Sequence, residues 1–168
     1  MPNWAEGSLK IRGPIKNIKR FLDEGIHKKM FNIFGKETEK DIVIFTDYSD
    51  ESGIEYEYHF ISVSYIEHTS RAFVDPDIIK YTNYVYLNGE SEKDIDTIAL
   101  PFKQAWSAKD KDFEKISKDY EIDIAIHTFE RGAEFEQDIL IIGGEIIKSE
   151  MITYENFKFE SNMPLLGG

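Results

Sequence analysis

The acidic side chains are the most numerous groups in this sequence that could do chemistry. The chain has 32 Asp and Glu residues, so carboxylate pairs occur throughout and no single pair indicates general acid-base catalysis. The densest group beside a predicted turn is Glu130, Glu134 and Glu136, and His127 precedes it closely in the chain. This group is typical of an acidic contact surface or a weak cation site, and equally of the solvent-facing side of a hairpin.

Nucleophilic and metal chemistry have weaker signals. The chain has no Cys, and no serine lies in a Gly-x-Ser-x-Gly turn. His68 precedes Asp75 and Asp77, which are suitable ligands for a hard cation, but their spacing fits no ligand template. We therefore expect no catalytic residues, no metal and no cofactor. A metal-dependent enzyme that uses His127 with Glu130, or His68 with the two aspartates, remains the alternative.

The charge balance restricts the class of partner. The 20 Lys and Arg residues are outnumbered, the formal net charge is -12, and most of the excess lies in residues 41–101. Non-specific binding to a phosphate backbone needs clustered cations, so this balance disfavours it and favours a cationic partner. The tyrosines could stack on bases, but Glu55, Glu57 and Glu155 lie beside several of them and would repel phosphates. We therefore expect no direct binding of nucleic acid, although a nucleic-acid-binding sheet stays an alternative.

Hydrophobic periodicity predicts the elements that position these residues. Strands are predicted at Trp4–Arg12, Ile42–Thr46, Tyr56–Ile66, Tyr84–Leu87, Ile95–Phe102, Ile122–Glu130, Phe135–Ile142 and Ile146–Phe159, and helices from Pro14 to about Gly25 and over Ser107–Tyr120. Ser107 is suited to cap the second helix, with Asp110 and Asp112 near its positive end. Asn88-Gly89 and Gly143-Gly144 are turn signals, and the last three strands form an antiparallel meander.

These elements predict an α+β fold with a mostly antiparallel sheet and helices on one face, and a ferredoxin-like sandwich is the best named candidate. We expect one domain over residues 1–160, with 27–95 as an insertion or divergent part and 161–168 as a flexible tail. We expect no secretory leader, because polar residues and a glycine stand where its apolar region would begin, and no apolar run is long enough to span a bilayer. Cytoplasmic localisation and no membrane partner are therefore expected.

Three short motifs carry a resemblance to a known family. They are Met1-Pro2-Asn3-Trp4 before a strand and a Gly-Pro turn, Ala105-Trp106-Ser107 before a helix, and Phe129-Glu130-Arg131-Gly132-Ala133-Glu134-Phe135 after a strand. Their order and spacing resemble the YubB ferredoxin-like family of phage and plasmid proteins. The chain differs at Ala5, Ala108-Lys109 and Glu136, where family members often have Cys, Pro and Gly. The resemblance implies a ferredoxin-like fold and a mobile-element origin within a bacterial host. It also implies that Trp4, Trp106 and Phe135 are core residues and that Glu130 and Gly132 form a turn signature.

The sequence as a whole favours an acidic protein-binding module. One specific hypothesis is inhibition of a host defence nuclease, as an anti-CRISPR or anti-restriction protein that mimics nucleic acid. Carboxylates would then occupy the cationic channel of the nuclease. The candidate binding surface consists of Asp47, Asp50, Glu51, Glu55 and Glu57, together with Glu130, Glu134 and Glu136. The identity of the partner and the oligomeric state are left open by the sequence.

Overall fold

The computed structural model describes residues 3–31, 37–38, 46–47, 56–57, 61–75 and 94–153. The helices within these ranges are α1 (Ile15–Glu24) and α2 (Asp110–Tyr120). The strands are β1 (Trp4–Pro14), β2 (Ile26–Phe31), β3 (Glu37–Thr38), β4 (Thr46–Asp47), β5 (Tyr56–Glu57), β6 (Ile61–Ile66), β7 (Ala72–Val74), β8 (Ile95–Ala105), β9 (Asp123–Glu130), β10 (Phe135–Ile142) and β11 (Glu145–Thr153). The strand predicted at Tyr84–Leu87, the Asn88-Gly89 turn and the tail 161–168 lie outside the described residues.

The described strands form one large sheet and one small one. The large sheet has the order β11-β10-β9-β1-β8-β7-β6-β2-β3, and β4 pairs separately with β5. Every pairing is antiparallel. The predicted meander is confirmed as β9-β10-β11. The strand predicted over Tyr56–Ile66 is two elements, because β5 pairs with β4 whereas β6 pairs with β2 and β7.

The large sheet contains two β-α-β units, β1-α1-β2 and β8-α2-β9. β1 and β2 are parallel to each other across α1, and β8, β7 and β6 lie between them in the sheet. β8 and β9 are parallel across α2, and β1 lies between them. Both units are therefore split by strands from elsewhere in the chain, and they interlock, because β8 lies between β1 and β2 while β1 lies between β8 and β9.

The alternation of β1 separates two faces of the sheet. Leu9 and Ile11 are fully buried on one side, whereas Ser8, Lys10 and Arg12 lie on the other and are half-buried or exposed. The alternation of the sequence therefore gives β1 one apolar and one polar face. We call the side of Leu9 and Ile11 the helix face, because both helices pack there, and the opposite side the open face.

Helix α1 forms because its apolar residues fall on one stripe. Ile15, Ile18, Phe21 and Leu22 are all buried, and Pro14 occupies the N-cap. The helix ends at Gly25, whose backbone N–H donates to the carbonyl oxygen of Phe21 at 2.8 Å. The stripe therefore fixes which side of α1 contacts the sheet.

The two helices lie side by side on the helix face. The ring of Phe21 packs edge-to-face on Tyr120 with centroids 5.3 Å apart. Arg20 Nη2 donates to the carbonyl oxygen of Asp119 at 2.6 Å, and Asn17 Nδ2 donates to that of Glu121 at 3.2 Å. The C-terminal end of α2 is therefore satisfied by side chains from α1.

Helix α2 begins later than predicted. Lys109 occupies the N-cap and makes no side-chain capping hydrogen bond, so the expectation that Ser107 caps this helix is wrong. Ser107 Oγ instead accepts a hydrogen bond from Lys109 Nζ at 2.9 Å. Asp110 and Asp112 lie in the first turn as predicted, where a carboxylate interacts favourably with the helix dipole.

The α+β class and the antiparallel sheet with two helices are confirmed for the described residues. One continuous core lies between the helices and the sheet. Its largest fully buried side chains are Leu9, Ile11, Ile18, Phe21, Ile66, Leu100, Phe113, Ile122, Ile124, Ile126 and Ile139. No helix in the described part of the chain is both long and apolar enough to cross a bilayer.

The β10–β11 hairpin is closed by a two-glycine turn against α2. Gly143 and Gly144 have φ of +56° and +77°, which L residues adopt at a cost of about 1–2 kcal/mol. Gly143 N–H donates to Asp123 Oδ1, and Gly144 N–H donates to Ser117 Oγ, each at 3.0 Å. A Cβ on Gly143 would meet nothing, whereas one on Gly144 would collide with the side chain of Lys118.

The two glycines provide a matched pair of substitutions. We expect Gly143→Ala to lower the free energy of unfolding by about 1–2 kcal/mol through backbone strain alone. Gly144→Ala adds the steric conflict with Lys118 and should cost more. Urea unfolding followed by circular dichroism measures both values. A Gly144→Ala variant no less stable than Gly143→Ala would contradict the close packing of the turn on α2.

Candidate functional site at one end of the sheet

The three motif segments meet at one end of the large sheet. Trp4 pairs with Ala105 between β1 and β8, and the backbone N–H of Trp106 donates to the carbonyl oxygen of Asn3 at 2.8 Å. A Cβ on Gly132 would lie 2.5 Å from Asn3 Nδ2, so the third segment also approaches Asn3 closely. We call this region the motif end.

Glu130 organises the turn between β9 and β10. Its side chain is only 3% exposed. Oε1 accepts a hydrogen bond from the backbone N–H of Gly132 at 2.8 Å, and Oε2 accepts one from that of Ala133. The carboxylate thus satisfies two amides of the turn, and the role expected for Glu130 and Gly132 as a turn signature is confirmed.

Trp106 is the exception among the expected core residues. Phe135 is buried and Trp4 is half-buried, but Trp106 is 58% exposed. Its backbone also has φ of +71°, in the left-handed region that bulky residues rarely adopt. The expectation that Trp106 is a core residue is wrong, because the left-handed turn after β8 takes its side chain away from the buried face.

Buried amide side chains hold the segment that carries Trp106. Gln137 Oε1 accepts from the N–H of Ala108 at 2.7 Å, and its Nε2 donates to the carbonyl oxygen of Ala108 at 3.1 Å. Gln104 Oε1 accepts from the N–H of Lys109 at 3.1 Å. Both Gln104 and Gln137 are buried, so these bonds form where competition from water is small.

The turn between β6 and β7 is fixed to the same region. Gln104 Nε2 donates to the carbonyl oxygen of Ser70 at 3.2 Å, and Asp112 Oδ2 accepts from the N–H of Ser70 at 2.9 Å. Arg71, which has φ of +61°, follows directly, and its carbonyl oxygen accepts from the N–H of Ala105 at 3.3 Å. The first turn of α2 and the end of β8 therefore position this turn together.

The indole ring of Trp4 is in contact with two cationic side chains and one aromatic side chain. The Arg71 guanidinium carbon lies 5.8 Å and Lys103 Nζ 5.4 Å from the centroid of its ring. Phe73 packs edge-to-face on the same ring at 5.6 Å. We call Trp4, Arg71, Phe73 and Lys103 the Trp4 cluster. In the described part of the chain neither cation is ion-paired with a carboxylate, which is notable in a chain of net charge -12.

The structure separates the acidic residues that the sequence grouped. Glu130 and Glu136 are buried, and Glu134 is half-buried. The expectation of an exposed acidic hairpin is therefore wrong for Glu130 and for Glu136: the carboxylate of Glu130 binds amides of its own turn, and Glu136 lies on the interior strand β10, between β9 and β11. Asp47 and Glu57 lie on the paired strands β4 and β5, while Asp50, Glu51 and Glu55 lie outside the described residues.

His127 is placed away from Glu130 and beside Asp138. On the open face Ser8, His127 and Asp138 lie opposite one another on β1, β9 and β10. His127 Nδ1 lies 4.0 Å from Asp138 Oδ1, and its buried Nε2 has no hydrogen-bond partner among the described residues. A serine nucleophile needs a hydrogen-bonded base, so this row is not assembled as a catalytic triad. Nor does the structure form the His127–Glu130 pair.

Metal-ligating side chains do not converge in the described residues: no three His, Asp or Glu side chains there could hold one ion. His68 lies in the turn after β6 with φ of +62°, and its Nε2 is 3.9 Å from Glu67 Oε1. Asp77, the third member of the group predicted from sequence, lies outside these residues.

Sequence reasoning missed the residues that hold the motif end. Gln104 and Gln137 occupy core-facing positions of β8 and β10, and an amide at a position where the alternation calls for an apolar side chain was the available signal. The partners of these amides are backbone atoms of 108 and 109. Their involvement depends on the register of three strands, which sequence alone does not reveal.

A comparison with protein-family models, with curated proteins and with solved structures found no match to this chain.

The buried carboxylate of Glu130 should stabilise the turn between β9 and β10. Replacing it with Ala leaves two turn amides without their acceptor, so Glu130→Ala should lower the free energy of unfolding by about 1–3 kcal/mol. Glu134→Ala in the same turn removes a half-buried carboxylate that makes no described hydrogen bond, and should change it by less than about 0.5 kcal/mol. Thermal and urea unfolding measure both. Equal effects of the two substitutions would show that the buried carboxylate does not hold the turn.

Proposed function

We propose that this chain is a protein-binding module built on a ferredoxin-like core. The two split β-α-β units support this reading of the core, because β9-β1-β8 are adjacent and β2 follows beyond an added β6-β7 hairpin. A ferredoxin-like sandwich has the same alternation of strand and helix. The resemblance to YubB-type proteins of phages and plasmids is consistent with that core and belongs to the same proposal.

The observation that carries the binding proposal is the exposure of Trp106. Trp is among the residues that most often dominate the binding energy of a protein interface. A bulky residue in the left-handed region costs on the order of 1–3 kcal/mol and persists only where its surroundings hold it. Here the carbonyl oxygen of Asn3 accepts from the N–H of Trp106 itself, and the side chains of Gln137 and Gln104 hold the two residues Ala108 and Lys109 that follow closely.

This arrangement suits an anchor for a partner protein. The backbone is fixed before Trp106 by the bond from the Ala105 N–H to the Arg71 carbonyl oxygen, and after it by the bonds at Ala108 and Lys109, so binding would order little further chain. Pre-organisation lowers the entropic cost of association and so increases affinity without additional contact area. An exposed indole of this kind serves no packing role in the described core.

The partner we propose is a cationic protein, specifically a host defence nuclease. The net charge of -12 supports attraction to a basic channel, since complementary charge accelerates association and selects partners. Asp50, Glu51 and Glu55, with Asp47 and Glu57, are the carboxylates proposed to take the place of phosphates. Trp106 would supply the apolar anchor, and these five carboxylates would supply the charge complementarity.

Affinity capture from a bacterial host lysate tests this proposal. Wild-type bait should retain a basic nuclease at low salt and lose it at high salt, because exposed charges are screened over about 8–10 Å at physiological ionic strength. Trp106→Ala should weaken binding of the purified partner by about 30-fold, as expected for an anchor worth about 2 kcal/mol.

Two further variants make that experiment decisive. Ile95 is 65% exposed at the opposite end of β8, so Ile95→Ala is a matched control that should leave capture unchanged. Reversing Asp50, Glu51 and Glu55 to Lys should abolish the salt-sensitive part of binding. Capture that is indifferent to Trp106→Ala contradicts the anchor, and capture indifferent to charge reversal contradicts mimicry of nucleic acid.

The Trp4 cluster favours a second candidate function, binding of single-stranded nucleic acid. Proteins that bind single strands combine aromatic side chains with cations that contact the phosphates. Trp4 and Phe73 are half-buried on the open face, and Arg71 and Lys103 lie over the indole. The ferredoxin-like sheets that bind RNA also use aromatic residues of the open face.

Tryptophan fluorescence tests this second candidate directly. The chain has two Trp residues, so Trp106→Phe leaves Trp4 as the only indole, and a bound oligonucleotide should quench it. In that background, Arg71→Gln or Lys103→Gln should each weaken binding and reduce the salt slope by about 0.7. Lys111→Gln on α2 is the control. No quenching by oligothymidine or oligouridine at low salt would exclude this function.

A further inference from the structure

The outer edge of β11 concentrates exposed apolar side chains. β11 is the last strand of the large sheet, and no described strand pairs with its outer edge. Among the described residues, six large apolar side chains are exposed, and four of them are in the β10–β11 hairpin. These four are Ile142, Ile147, Met151 and Ile152. Such a patch on a strand edge is typical of an interaction surface.

The backbone of β11 is suited to pair with another strand. It is nine residues long, and its only irregularity is a bulge where Ile147 is the extra residue between Ile146 and Lys148. From Lys148 to Thr153 the register with β10 is regular. The outward N–H and C=O groups of this stretch form a template for an added antiparallel strand.

The sequence around Ser149 is self-complementary. When two copies of β11 run antiparallel with Ser149 opposite Ser149, Lys148 lies opposite Glu150 of the second copy, and Glu150 opposite its Lys148. One residue further out, Ile147 of the bulge comes next to Met151. Opposite charges and apolar pairs directly across two strands stabilise the pairing. We propose that two copies of this chain associate through β11, with the twofold axis at Ser149.

The charges on the open face support this register. Lys148 Nζ lies 2.7 Å from Asp138 Oδ2 and 3.2 Å from Glu150 Oε2. These hydrogen bonds, first to Asp138 and then to Glu150, raise the pKa of Lys148, so the lysine is fully charged at neutral pH. The side chain is therefore fixed on the face where Glu150 of the second copy arrives.

The apolar residues contribute the area that this pairing removes from water. Ile147 is 58% exposed and Met151 is 51% exposed, and each occurs twice in the symmetric interface. The twofold axis runs perpendicular to the sheet and keeps the helix face on the same side. The two sheets would join into one, with the two described helices of each copy on the same face, as in other isologous interfaces.

Charge reversal and rescue test the register. Light scattering over a concentration series should show a dimer for the full chain. Lys148→Glu or Glu150→Lys alone places like charges opposite each other twice, and should raise the dissociation constant about tenfold or more. The double variant restores both pairs and should return the constant to near the wild-type value. Ile95→Lys, at the far end of β8, should have no effect.

Controls separate dimer loss from unfolding and from other occupants. Circular dichroism must show that single and double variants are folded at the temperature of the measurement, at a concentration where all are monomeric, and Met151→Lys provides a second test if Glu150→Lys does not fold. Hydrogen exchange of the outward β11 amides should slow as concentration rises.

Three results would overturn the proposal. They are a monomer at every concentration, a dimer unaffected by both single reversals, or outward amides protected equally in a monomer, which would show that another segment of the chain covers the edge. The proposed function is tested separately, because Trp106→Ala should leave the dimer intact.

Discussion

Strand β1 is the element on which the rest of the fold depends. It lies in the interior of the large sheet and pairs along all eleven of its residues with β8 and along seven with β9. Its helix-face residues, including Leu9 and Ile11, contribute to the core under both helices. Because β8 and β9 belong to one β-α-β unit and β1 opens the other, the pairing of β1 joins the two units into one sheet. The register of this strand also determines which side chains reach the motif end.

At the motif end, buried polar side chains hold the backbone that carries the exposed side chain of Trp106. Glu130, Gln104 and Gln137 are removed from water, and their hydrogen bonds go mainly to backbone groups of turns rather than to other side chains. A buried polar group costs free energy unless it is paired, so each turn is held in the conformation that satisfies it. The result is a strained, exposed Trp106 beside the Trp4 cluster. Stability at this end of the sheet and the proposed binding role therefore rest on the same bonds.

The sequence predicted the regular elements well and the site poorly. The stripe of α1 and the alternation of β1 follow from local periodicity, and the burial of one side of each element agrees with it. Trp106 was expected in the core because of the family resemblance, but it lies in a left-handed turn after β8 and its side chain is exposed. Glu130 was expected at the surface because charged residues usually are, but two amides of its own turn bind the carboxylate. The positions of both side chains depend on the geometry of turns and on contacts with residues distant in sequence, and hydrophobic periodicity encodes neither.

Hydrogen exchange at the motif end tests the central claim most directly. The claim is that buried side chains hold the backbone around Trp106 rigidly. The amides of Trp106, Ala108 and Lys109 donate to Asn3, Gln137 and Gln104 respectively, so all three should exchange slowly, and Gln137→Leu should selectively accelerate exchange at Ala108. Fast exchange of these amides in the wild-type protein, at the rate of an exposed loop, would contradict the account.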